Sequence, residues 1–160
     1  MDQSWQNYFE AFNAMGKYKT QVNLYKPNIG SVNKNRHQLI DFKTFNLPGD
    51  FDILQRNKNL FEIVINENNK CNLNLLIDVK DRKNLNLAKT YLDKLKSIID
   101  KNEPVLLKTF YSNSGNGKNS KRVKLALAET TLKSKKDQYK WFEAVLNEAC
   151  SILKNEIKEN

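Results

Sequence analysis

Leu73, Leu75, Ile77 and Val79 alternate with Asn72, Asn74, Asp78 and Lys80 in the cleanest two-residue period of the chain. Successive strand residues point to opposite faces, so this spacing predicts a strand with one apolar and one solvated face. Leu76 is the exception on the second face. Phe61, Ile63 and Ile65 repeat the period upstream, across an Asn-rich turn at 67–70. Residues 39–45 form another strand candidate, and Leu47-Pro48-Gly49-Asp50 is a turn signal. Residues 17–36, polar and holding Pro27 and Gly30, read as a long loop or weak strand. Segments 105–111 and 122–130 complete the strands, joined by a loop of Ser, Gly and Asn at 112–120.

Three segments carry a helical period instead. Trp5, Phe9 and Phe12 recur at i, i+4 and i+7, with Tyr8 and Met15 beside them, between the cap candidate Ser4 and the stop candidate Gly16. A second stripe runs Leu87, Ala88, Tyr91, Leu92, Leu95, Ile98 and Ile99, starting near Leu85 and closed by Pro104. The third begins at Ser134, with Asp137 three residues on, and presents Trp141, Phe142, Val145, Ala149, Ile152 and Leu153. The order α-β-β-β-α-β-β-α predicts a single α+β domain over 1–160. Its expected architecture is a mainly antiparallel sheet of about five strands with three helices. Residues 112–120 are expected as a flexible hairpin loop and 155–160 as a frayed tail.

Composition narrows the class. The chain has 160 residues, of which 39% are hydrophobic and 10% aromatic, enough to build a core without staples. Cys71 and Cys150 make no disulfide framework. No apolar run reaches membrane-spanning length, and the N-terminus lacks a signal-peptide pattern, so the expectation is a cytoplasmic protein with no membrane partner.

Charge supplies the functional hint. Lys and Arg total 27 against 18 acids, a net charge of +9, which favours an anionic partner and above all nucleic acid. Residues 104–128 hold no acid but carry Lys108, Lys118, Lys121, Arg122 and Lys124. Residues 17–40 likewise hold Lys34 and Arg36 among their bases and no acid. Phe110 and Tyr111 end a strand that opens into the basic hairpin, a position from which an aromatic ring can stack on bases. The reading that follows is a small basic module that contacts DNA or RNA phosphates through its Lys-rich hairpin, with Lys34 and Arg36 as helpers.

Leu75-Leu76-Ile77-Asp78-Val79-Lys80-Asp81 places an acid and a lysine two apart after an apolar run. Residues two apart on a strand face the same way. The stretch resembles the third-strand signature of the PD-(D/E)xK nuclease superfamily, and the element order over about residues 4–111 resembles that core. The resemblance implies a Mg²⁺ site of Asp78 and the upstream Asp52, with Lys80 orienting the attacking water and Glu10 as an extra acid. On the plain reading Asp78 and Lys80 are the solvent side of a half-buried strand, and Mg²⁺ belongs only to the nuclease alternative.

The remaining chemistry-bearing residues read as structural. Ser114-Gly115-Asn116-Gly117-Lys118 lacks the spacing of a phosphate loop and sits between strands, so it is a hairpin loop. His37, the one histidine, is expected on a surface loop. Cys71 is expected in a turn and Cys150 beside the core. A third functional class is a protein-interaction module: inhibitor, chaperone or assembly subunit. The element order resembles small type III secretion chaperones, which hold partner segments, although those are usually acidic.

Overall fold

The computed structural model describes residues 7–8, 11, 22–25, 36–40, 43–45, 54–65, 68–79, 82–112 and 122–159. Side chains are described for 7–8, 11, 61, 63–65, 68–77, 79, 82–110 and 122–156. The alternating segment forms β5 (Lys70–Val79), at the centre of a six-stranded sheet. Its neighbours are β4 (Leu54–Ile65) and β7 (Arg122–Thr131), both antiparallel to it. Strands β1 (Val22–Tyr25) and β2 (Arg36–Ile40) extend the sheet beyond β4, and β6 (Phe110–Ser112) closes the far edge, giving the order β1-β2-β4-β5-β7-β6. A separate ribbon pairs β3 (Lys43–Phe45) with β8 (Ile157–Glu159).

The chain is therefore α+β, as its pattern predicts, but with more strands than expected. Five strands precede the first long helix where three were expected. The candidate strand at 39–45 divides into β2 and β3, which join different sheets. Val22–Tyr25 lies in the stretch expected as loop or weak strand and pairs with β2. Phe61–Ile65 is only the end of the twelve-residue β4, whose first half is too polar to show a period. Residues 155–160, expected to fray, contribute β8. Glu156 helps hold them, accepting from the Tyr91 hydroxyl at 3.3 Å and pairing with Lys94 at 3.5 Å.

Helix α1 (Leu85–Lys101) and helix α2 (Lys135–Ile152) begin and end within three residues of their expected signals. Ser134 caps α2, its hydroxyl accepting from the Asp137 amide at 3.1 Å. Both helices cover one face of the sheet. Leu73, Leu75, Ile77 and Val79 of β5 share a core with Leu92 and Leu95 of α1 and with Phe142, Val145 and Leu146 of α2. The segment expected as the first helix is described only at Asn7, Tyr8 and Ala11, which are helical. There Tyr8 stacks on Tyr139 of α2, ring centroids 4.1 Å apart. Burial, reinforced by the nearby Glu143 carboxylate, holds the Tyr8 hydroxyl protonated far above its ordinary range.

The second face of the sheet is not the solvated surface its Asn residues suggest. Leu76 is fully buried, Asn74 is 5% exposed, and Val64 of β4 is buried beside them. Cys71, expected in an exposed turn, is the second residue of β5 and fully buried. Burial pushes its thiol up to about 11, so it stays protonated and unreactive at neutral pH. Asn69, in the turn before it, takes a left-handed φ of 62°, a conformation Asn tolerates.

Candidate nucleic-acid interface

The β5–β7 ladder sets which side chains share the second face. Directly opposed residues of an antiparallel pair lie on the same side. Leu76 stands opposite Lys124, Asn74 opposite Ala126, and Asp78 opposite Arg122 in the register. One strand further, Ala126 pairs with Phe110 and Lys124 with Ser112. The face thus runs from buried positions on β4 and β5, through half-buried Arg122, Lys124 and Ala126 on β7, to exposed Phe110 on β6. Among the described residues it opens to solvent at Phe110 on the β6 edge, and again at the far end of the ladder at Lys70, Glu129 and Thr131.

Lys108 joins this margin from the segment before β6. Residues 105–109 were expected to be strand, but the ladder begins only at Phe110. The backbone is still tied to β7, Lys108 N–H donating to the Leu127 carbonyl at 2.8 Å. Leu107 turns into the core, and the Thr109 hydroxyl donates to Asp100 of α1 at 2.7 Å. Lys108 is exposed, its ammonium 5.9 Å from the centroid of the Phe110 ring. Glu148 of α2 fixes the same segment, one carboxylate oxygen accepting from the amides of Leu106 at 2.9 Å and Leu107 at 3.1 Å.

A bulge aligns the cations with the aromatic ring. Between the pairs Leu73–Ala128 and Asn74–Ala126 the register shifts, leaving Leu127 as the extra residue of β7. Leu127 and Ala128 are both buried, and the alternation restarts in the opposite phase. Upstream of the bulge Arg122, Lys124 and Ala126 take the second face. Downstream Glu129 takes it, with its carboxylate engaged by Lys70 at 3.4 Å. No acid lies between Pro104 and Ala128 in the sequence, and across the ladder the one acidic position of β5, Asp78, stands opposite Arg122.

The candidate residues divide accordingly. Lys108, Arg122 and Lys124 are spread along one margin, Lys108 level with Leu127. Arg36 is not brought there: it opens β2, opposite Ile65, three strand positions from β7 and therefore roughly 14 Å across the sheet. Lys34, Lys118, Lys121, Asp52 and Lys80 lie outside the described residues, as does most of the 112–120 loop. Asp78 is placed in β5, one residue before the strand ends. Among the described residues no group of three His, Cys, Asp or Glu could hold a metal ion. His37, expected in a loop, lies within β2. A further basic group, Lys133, Lys135, Lys136 and Lys140, is exposed around the start of α2. The run Lys133-Ser134-Lys135-Lys136 was its visible signal. Among the described residues no helix is long and apolar enough to cross a membrane. No protein-family model matches the chain, and no curated protein or solved structure is significantly similar to it.

Proposed function

We propose that this protein is a non-catalytic nucleic-acid-binding module that contacts phosphates through Lys108, Arg122 and Lys124 on the open β6–β7 margin. One observation carries the reading: bases from two separate segments share one sheet margin beside an exposed aromatic ring. Guanidinium and ammonium groups held on a sheet margin attract phosphate without reading base identity. The net charge of +9 steers any polyanion towards the molecule.

Fluorescence anisotropy with labelled single- and double-stranded DNA and RNA, at two salt concentrations, tests this. Binding should weaken steeply with salt. Lys124→Ala should flatten the log–log salt slope by about 0.7 to 0.9, one phosphate contact. Lys140→Ala, an exposed lysine on α2, should not change it. Salt-insensitive or absent binding overturns the reading. Repeating the assay with Mg²⁺ separates the nuclease alternative, which requires probe cleavage that Asp78→Ala abolishes. The protein-interaction reading is favoured by Val105, 90% exposed, and its neighbour Leu106. A protein partner seated there would protect the amides of 105 and 106 from hydrogen exchange.

A further inference from the structure

We infer that the preferred ligand is single-stranded, with Phe110 as a stacking platform for an unpaired base; this rests on the nucleic-acid reading above. Phe110 is the one aromatic residue among the described side chains that is exposed as a large apolar group, at 36%. An apolar ring left partly in water at a sheet edge lacks the full burial that the chain gives its other described Phe residues, Phe61 and Phe142. Its position is held from three sides. The ladder to Ala126 fixes its backbone, Thr109 beside it is tied to Asp100, and the preceding segment is clamped by Glu148. A rigid ring at a fixed strand position can receive a base with little ordering cost.

Charge around the ring selects the occupant. Lys108 lies within cation–π distance, and Lys124 is the diagonal neighbour across β6–β7, a separation of roughly 7–8 Å. Cations flanking a ring can take the phosphates on either side of a nucleotide whose base stacks on that ring. A duplex cannot use this arrangement, because its bases are already stacked on one another and only its phosphates are offered. Stacking also needs no base-edge hydrogen bonds, so the preference should be for strandedness and not for sequence.

The test uses the full chain with labelled oligothymidylate and a duplex of equal length. Phe110→Ala should weaken oligothymidylate binding by about 5- to 150-fold, the range for losing one stacked base. Duplex binding and the salt slope should hold. Phe110→Tyr should retain affinity, and Phe110→Leu, which keeps apolar bulk without a π face, should lose it. If packing is disturbed by Phe110→Ala, Phe110→Trp supplies an independent readout: its emission should be quenched by oligothymidylate and not by duplex. Wild-type affinity for oligothymidylate in Phe110→Ala and Phe110→Leu, with salt-dependent binding intact, overturns the stacking inference and leaves phosphate binding standing. Absence of binding to every probe overturns both.

Discussion

Glu148→Ala is the substitution that most directly couples α2 to the candidate margin. One oxygen of this carboxylate accepts from two consecutive amides, Leu106 at 2.9 Å and Leu107 at 3.1 Å, more than forty residues away in sequence. A hydrogen bond to a charged acceptor contributes about 1.5–3 kcal/mol. Leu106 is exposed, so water can replace the lost acceptor there. Leu107 is buried in the core, so its amide is left poorly solvated. The net cost is therefore about 2 kcal/mol, closer to one bond than to two. That corresponds to a roughly 30-fold rise in local opening and a fall in Tm of about 4–8 °C for a chain of this size. Glu148→Gln keeps an acceptor oxygen without the charge and should lose about half as much. Hydrogen exchange resolved at 106 and 107, with urea unfolding alongside, measures both effects. Wild-type exchange rates at those two amides in Glu148→Ala would refute the clamp, whatever happened to global stability.

Leu76→Ala should cost about 2–5 kcal/mol in urea unfolding, since Leu76 is fully buried on the second face; a loss under about 0.5 kcal/mol would return that face to solvent. Glu103 follows α1 with a left-handed φ of 46°, so Glu103→Gly should stabilise by about 0.5–1 kcal/mol, and a destabilised variant would contradict that backbone. Asp100 is held below its ordinary carboxylate range by its hydrogen bond to Lys96 and then by that to Thr109. Its folded pKa is depressed, so its contribution is complete above the unfolded value and disappears as pH falls through the folded one. The carboxylate is partly exposed, so Asp100→Asn should cost no more than about 1 kcal/mol at pH 6 and nothing near pH 2; an unchanged difference across that range would rule the pair out.

What the sequence makes legible follows from how local each signal is. The stripes of α1 and α2 and the Ser134 cap depend on residues three or four apart, and they stand where the pattern puts them. The strand at 54–60 is illegible because its polar residues carry no period, and the one at 22–25 because the strand that holds the Val22–Leu24 alternation is only four residues long. They are strands because β5 and β2 offer them a ladder. Leu76 was the visible sign that the second face is buried near its centre, but a single apolar exception cannot say how far that burial extends. In Val105-Leu106-Leu107-Lys108-Thr109-Phe110-Tyr111 apolar residues occupy both phases, so periodicity alone cannot tell which of Phe110 and Tyr111 turns outward. The tertiary bonds of Leu107 and Thr109 decide it for Phe110.

The same ambiguity shows why charge and register in β7 are one decision. Leu125-Ala126-Leu127-Ala128 offers apolar side chains in either phase, so the strand can absorb an extra residue there without exposing a polar group to the core. With Leu127 as that residue, Val123 and Leu125 enter the helix-covered core, and Arg122 and Lys124 align with Phe110. Without it, continuing the phase of Glu129 towards the N-terminal end of β7 would send Arg122 and Lys124 under α1 and turn Val123 and Leu125 outward. Burying two cations costs several kcal/mol each. The core therefore selects the bulge, and the bulge fixes the cations at the open margin. The alignment on which the proposed interface depends is thus enforced by packing on the opposite side of the sheet, and it needs no bound ligand to create it.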